Sequence, residues 1–226
     1  MDKELDLYYQ TTLTKKYKPQ KWIGYLFQEN AGFEEMYNRI NALNPNLVID
    51  AGCGRNKHKN HIKNLIGFDA SPYPEVDLHC AILDAPFDPN SADAVLALGS
   101  VQYISRAYVV ENMKQIISWV KPGGLIEMRV MLDDDKSKEY NKVYDREALR
   151  FPWDNALIEE ITNDQCLEFV TLPWSYSATA PEEGLEKEIQ LMTGYMPPER
   201  MERRKEKFRA MQELSRLAWT WRKSNE

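Results

Sequence analysis

The sequence predicts a doubly wound α/β domain, a mostly parallel sheet with helices on both faces and three layers in all. Three observations lead there. Five short apolar or β-branched runs recur between positions 47 and 131, two of them ending in aspartate. Segments with apolar residues at helical spacing alternate with these runs, which is the pattern of βα units. The 226 residues, 43% hydrophobic and 11% aromatic, suffice for one such domain and its core.

Residues 1–45 read as an N-terminal helical segment. In it "FEEMYNRINAL" (33–43) spaces Phe33, Met36, Tyr37, Ile40 and Leu43 along one helical face and stops at "NP". Strands follow at "LVIDA" (47–51), "LIGFD" (65–69), the weaker "DLHC" (77–80) and "ADAVLAL" (92–98). A helix is expected over 105–120, with Val109, Met113, Ile116, Ile117 and Val120 on its apolar face and "KPGG" as its stop. "LIEMRVM" (125–131) is the fifth strand; 153–163 reads as a helix, "LEFVTL" (167–172) as a strand and "SRLAWTWRK" (215–223) as a closing strand. The polar stretch 178–214 is an insertion between the last two strands. The whole is one domain, without internal repeats.

Several function classes recede on composition. A net charge of −6 disfavours a general nucleic-acid binder, which needs a basic excess over phosphates. "MDKELDLYYQ" has no apolar core of a secretory signal, and no segment has the apolar length to cross a bilayer, so no membrane partner is expected. Cys53, Cys80 and Cys166 are widely spaced and odd in number, which argues against a disulfide framework or a cysteine zinc site. A reduced, cytoplasmic setting is the expectation, with no metal.

The chemistry concentrates in "NLVIDAGCGRNKHKN" (46–60). A glycine turn after the first strand of an open α/β sheet lets backbone approach a ligand beyond the strand ends, as in dinucleotide and other nucleoside cofactor sites. Asp50 directly before the turn would repel a pyrophosphate but attract an ammonium. A dinucleotide G-x-G-x-x-G beginning at Gly52 requires glycine at 57, where Lys57 stands. S-adenosylmethionine, with an ammonium, a sulfonium, a ribose and no phosphate, fits both features.

"VIDAGCG", "IGFDAS", "PFDPNSADAVLALGSVQYI" and "VKPGGLIEM", in this order over roughly residues 46–131, resemble the class I S-adenosylmethionine-dependent methyltransferases. "RLAWTWRK" is similar to that family's last, antiparallel strand, so the resemblance implies a Rossmann-like sheet. It also implies roles. Asp50 faces the methionine ammonium; Gly52, Cys53 and Gly54 line the methionine; Asp69 takes the ribose hydroxyls; Ala70 and Ser71 border the adenine. Leu98, Gly99 and Ser100 pass under the methyl group. The acidic residue that usually meets the adenine amino group falls near Ala81 and Ile82 here, and Asp84 is either its shifted substitute or a turn residue. The short span from Asp50 to Asp69 looks like a subgroup written GCGxxK, whose members often lie near glycan and cell-envelope genes.

Other residues have plainer readings. Lys57, His58, Lys59 and His61 suit a solvated short helix, and Cys53 a small space-filler. Asp133, Asp134 and Asp135 suit a solvated turn at the ligand edge, with a metal or substrate role second. Trp119, Trp219 and Trp221 suit the core; Trp22, Trp153 and Trp174 fall near the ligand edge, where they either pack or stack on a sugar or heterocycle. No general base declares itself among His79, Tyr103, Asp133 and Tyr176.

The leading acceptor is a small polar molecule or a glycan. The other readings are a nucleic-acid or protein methyltransferase docking through "KKYKPQK" (15–21) and "RMERRKEKFR" (200–209), and a non-catalytic cofactor-binding subunit. The insertion is expected to stand over the site as a lid. Its segment 197–214 is a predicted helix with Met201, Phe208, Met211 and Leu214 as apolar contacts and Arg200, Arg203, Arg204 and Lys207 opposite, which either form i,i+4 ion pairs such as Glu199–Arg203 on a solvated helix or help hold an anionic acceptor such as a phosphorylated or acidic sugar.

Overall fold

A computed structural model of the chain describes residues 28–29, 32–71, 73–103, 105–133, 135, 138–139, 151, 153–176, 178–179, 186, 196–212 and 216–225. Trp22, Asp134 and the basic segment 15–21 lie outside them, as do the side chains of Tyr176, Phe208, Met211 and Leu214.

The elements run in the order β1 (Gln28–Glu29), α1 (Phe33–Ala42), β2 (Val48–Ala51), β3 (Leu65–Asp69), β4 (Leu78–His79) and a 3-10 turn (Ile82–Asp84). Then come β5 (Ala92–Leu98), α2 (Arg106–Trp119), β6 (Val120–Met131), α3 (Asn155–Asp164), β7 (Leu167–Tyr176), β8 (Ala178–Thr179), α4 (Pro198–Gln212) and β9 (Arg216–Lys223). Seven strands form one sheet in the order β4-β3-β2-β5-β6-β9-β7, parallel except for β9, which is antiparallel to both neighbours. Chain order reverses between β2 and β5, so a ligand crevice opens beyond their carboxyl ends.

The period-two alternation of the strands separates two cores. Ile49, Ala51, Val95, Ala97, Ile126, Met128 and Val130 meet α2 and α3 on one face. Val48, Ala94, Leu96 and Leu125 meet Met36 and Ile40 of α1 on the other. The helix starts follow local chemistry. Ser105 Oγ accepts from the Tyr108 N–H at 3.3 Å, and Asp154 Oδ1 accepts from the Leu157 N–H at 2.7 Å, each satisfying a donor that the first turn leaves open. Glu34 and Glu35 in the first turn of α1 and Arg39 in its last suit the helix dipole.

Several expectations need adjustment. "KPGG" ends α2 at Trp119 but lies inside a strand, because Val120 already pairs with Ala92 and the ladder then shifts register before Leu125. Gly124 is required there, since a Cβ would stand 2.9 Å from the Asp93 carbonyl. β7 extends past Pro173 to Tyr176, which an edge strand tolerates. Of its two readings Trp153 takes packing: it is fully buried just beyond the ends of β5 and β6, its indole N–H donates to the Val101 carbonyl at 2.7 Å and its ring lies 5.7 Å from that of Trp219. The pairing of β1 with β8 was not foreseen. Among the described residues, Lys205 of α4 pairs with Glu202 at 2.9 Å and with Glu186 at 2.7 Å, and no Glu199–Arg203 pair is present.

Polar groups also cross the sheet. Glu127, 1% exposed, receives two hydrogen bonds from Arg39 of α1, at 2.8 and 3.0 Å, and one from Thr220 of β9 at 3.0 Å. Thr171 of β7 continues the line to Thr220 at 3.1 Å.

Candidate functional site

β2 delivers Asp50 to the reversal point with 1% exposure, and its Oδ2 has no hydrogen-bond partner among the described residues. Burial pushes its carboxyl up to about 7, with Lys57 pulling the other way and Asp69 adding to the rise. A buried acceptor without a donor is costly, and a cationic donor would relieve it.

The turn after Asp50 folds back on β3. The N–H groups of Gly52 and Cys53 both donate to the Phe68 carbonyl at 2.9 Å. Gly52 has φ 72°, in the left-handed region, and a Cβ there would stand 2.3 Å from Cβ of Ser100. The loops after β2 and β5 therefore touch at Gly52. Burial and the neighbouring carboxylates raise the Cys53 thiol far above its ordinary range, so it is no nucleophile.

Asp69 ends β3 as an organiser of two loops. Its Oδ2 accepts from the Gly54 N–H at 2.8 Å and its Oδ1 from the Ser71 N–H at 2.7 Å. Burial raises its pKa, and the hydrogen bonds from Ser71 and Gly54 oppose the rise. Each carboxylate oxygen keeps a second lone pair. Ser71 is buried, and the Ala70 carbonyl lies 2.8 Å from His79 Nε2.

Ala81 precedes the 3-10 turn in extended conformation, and Ile82 is a 5% exposed member of the core. Asp84 ends that turn. On the other side of the crevice Leu98 ends β5, Gly99 has φ 86° and donates to the Arg129 carbonyl at 2.8 Å, and the buried Ser100 Oγ has no partner among the described residues.

The structure thus joins Gly52 to Ser100, and Asp69 to Gly54 and Ser71. It also corrects one reading. His58 is not solvated: it is 2% exposed, its Nδ1 lies 2.8 Å from Tyr37 Oη, and burial with Lys57 and Arg129 nearby drives its pKa down to about 3. Asn56 was overlooked. It is buried, donates to the Glu75 carbonyl at 3.0 Å, and would meet any Cβ on Gly67 at 2.3 Å. A glycine inside the strand "LIGFD" is the signal that another group approaches there. Phe33 and Arg129 also stand at the crevice, and a charge at alternate positions in the apolar strand "LIEMRVM" marks the second of them.

No protein-family model and no curated protein matches the chain. Solved structures do. A Burkholderia thailandensis 1,6-didemethyltoxoflavin-N1-methyltransferase, bound to 1,6-didemethyltoxoflavin and S-adenosylhomocysteine, aligns over 98% of this chain and 89% of its own at 13% identity and TM-score 0.62. The chain has a Rossmann-like methyltransferase fold. A Haemonchus contortus phosphoethanolamine N-methyltransferase, bound to phosphomonomethylethanolamine and S-adenosylhomocysteine, aligns over 96% of this chain and 60% of its own at 17% identity and TM-score 0.62. The [4+2]-cyclase SpnF aligns over 85% of this chain and 81% of its own at 15% identity and TM-score 0.56. Among the described residues no helix is long and apolar enough to cross a membrane, and no group of three or more His, Cys, Asp or Glu is placed to hold a metal.

Proposed function

We propose that this chain is an S-adenosylmethionine-dependent methyltransferase acting on a small polar molecule or a glycan. The observation that supports it best is the buried, donor-less Oδ2 of Asp50 beside the left-handed turn at Gly52. In this reading Asp50 receives the ammonium, the backbone of Gly52, Cys53 and Gly54 lines the methionine, and the second lone pairs of Asp69 receive the ribose hydroxyls. Ala70, Ser71 and the backbone at Ala81 and Ile82 border the adenine; Leu98, Gly99 and Ser100 line the transfer path. When bound, the cofactor supplies an electrophilic methyl group on a cationic sulfur. The chain's part is alignment and exclusion of water.

The GCGxxK subgroup reading rests on "GCGRNK" and the short span from Asp50 to Asp69, and it favours a glycan acceptor. The lid reading rests on topology. β7 ends and β9 begins at the carboxyl edge, so the insertion 178–214 departs from and returns to that edge. Arg203 and Arg204 of α4 are then the lid's contribution to acceptor binding.

The test is stabilisation by ligand. S-adenosylmethionine or S-adenosylhomocysteine at a hundred times its Kd should stabilise the fold by about 2.7 kcal/mol, and NAD should not. Stabilisation by NAD alone overturns the cofactor assignment. Because a cyclase shares this fold, transfer needs its own assay, with radiolabelled methyl followed into a panel of small polar and sugar acceptors. Cofactor binding with no labelled product would support the non-catalytic reading.

A further inference from the structure

The segment after β5 is braced from the end of β6. The Met131 N–H donates to Gln102 Oε1 at 2.6 Å, the Phe151 N–H to the Gln102 carbonyl at 2.9 Å, and the Trp153 indole to the Val101 carbonyl at 2.7 Å. The Trp153 N–H in turn donates to the Met131 carbonyl at 2.9 Å. Gln102 is therefore held by side chain and backbone at once, and it is buried, at 8% exposure. A backbone N–H can only donate, so the amide atom that faces Met131 is the oxygen and the other carries the NH2 group.

That NH2 group has no use inside the protein. Among the described residues Nε2 has no hydrogen-bond partner, and unlike Ser100 Oγ it is not a sealed polar atom. Its direction follows from Gly99. Leaving the chain neighbours aside, a Cβ built on Gly99 would find one described atom within 4 Å, and that atom is Gln102 Nε2 at 3.7 Å. The space over Gly99 is thus open, with an amide donor at its wall. Gly99 itself has φ 86° and follows the carboxyl end of β5, between Leu98 and Ser100 of the proposed transfer path. A donor pinned through its own amide oxygen has little freedom left to lose when it binds, which is what a site that orients a reactant requires.

We propose that Gln102 is a specificity-determining residue whose Nε2 donates a hydrogen bond to an oxygen of the methyl acceptor, beside the atom that takes the methyl group. This rests on the methyltransferase reading and narrows the acceptor to molecules that offer an oxygen lone pair at that place. A molecule that presents an N–H there sets donor against donor and is selected against. Gln102 orients the acceptor, and no bond of its own is made or broken.

The test follows the Gln102 side-chain amide by NMR in the nitrogen-15-labelled full chain saturated with S-adenosylhomocysteine. The NH2 resonance is assigned in the wild type and checked by its absence in Gln102→Glu. Acetate and dimethyl sulfoxide offer oxygen lone pairs, whereas methylammonium offers only N–H donors. Titrated at constant ionic strength, at least one oxygen probe should shift the Gln102 NH2 resonance saturably, and methylammonium should not. Gln102→Glu keeps an acceptor for the Met131 N–H and turns the open position from donor to acceptor. Read from the Gly99 and Ser100 backbone resonances, it should bind the oxygen probe about tenfold more weakly, with methylammonium now the better ligand. Its S-adenosylhomocysteine affinity by calorimetry should stay within about threefold of wild type. The wild-type titration decides even where the variant does not fold. If the wild type binds S-adenosylhomocysteine but neither oxygen probe shifts the amide, the proposal is overturned. An equal response to methylammonium overturns it too. So does a loss of about tenfold in S-adenosylhomocysteine affinity in Gln102→Glu, since the amide would then serve the cofactor. If the wild type binds no S-adenosylhomocysteine at all, the cofactor reading fails, and the role of Gln102 with it.

Discussion

Gly52 and Ser100 are in direct backbone-to-side-chain contact across the reversal point: a Cβ on Gly52 would stand 2.3 Å from Cβ of Ser100. The loops that follow β2 and β5 are thus packed against each other at the place where cofactor and acceptor would meet. Gly52→Ala should cost about 2–5 kcal/mol, combining the left-handed backbone with the overlap. Adding Ser100→Gly should return the overlap part and leave the backbone part. Urea unfolding of the single and double variants checks both.

Asp69 holds the Gly54 and Ser71 N–H groups, and in the proposed reading it would also receive the ribose hydroxyls. Asp69→Ala should weaken S-adenosylhomocysteine by about 1.5–3 kcal/mol, ten-fold or more. Because two loop donors also lose their acceptor, the apo protein should melt earlier. Calorimetry that finds unchanged affinity would remove Asp69 from the site.

Asp50 and His58 give opposite pH dependences. The folded pKa of Asp50, about 7 against an ordinary 3.8, means that its contribution to stability is complete below about pH 4 and lost as pH rises through 7. His58, lowered from 6.5 to about 3, stabilises above pH 6.5, and that contribution is lost as pH falls through 3. The two trends offset each other between about pH 4 and 6.5 in the wild type. Asp50→Asn should therefore be the more acid-sensitive protein, and at pH 8 the more stable apo form by on the order of 4 kcal/mol. Its affinity for S-adenosylhomocysteine should nonetheless fall. Melting curves from pH 4 to 8, with and without ligand, separate these effects.

Arg39 is the charge partner of a glutamate in the middle of the sheet. Arg39→Ala leaves Glu127 buried with Thr220 as its remaining donor and should cost about 3 kcal/mol, whereas Arg39→Ala combined with Glu127→Leu should recover most of it. Equal losses in the single and double variants, read from urea midpoints, would show that the pair is not coupled.

The sheet was legible in the sequence because its strands obey local rules. Apolar runs such as "LVIDA" and "ADAVLAL" have one buried reading, and Ser105 and Asp154 mark helix starts by capping chemistry alone. Asp50, Gly52 and Asp69 could be singled out as candidates because a carboxylate at a strand end and a glycine turn are local features too. What neighbours them was a different matter. The burial of His58 under Tyr37 and of Trp153 under Val101, the approach of Ser100 to Gly52, the pairing of β1 with β8, and the meeting of Arg129, Lys57 and Phe33 all join residues distant in the chain. The sequence by itself determined which residues prefer strand, helix or turn, and which charges occur where apolar residues are expected. Only the tertiary structure decided which of those charges face one another, because strand order and register, not local preference, set the distance between side chains on different strands.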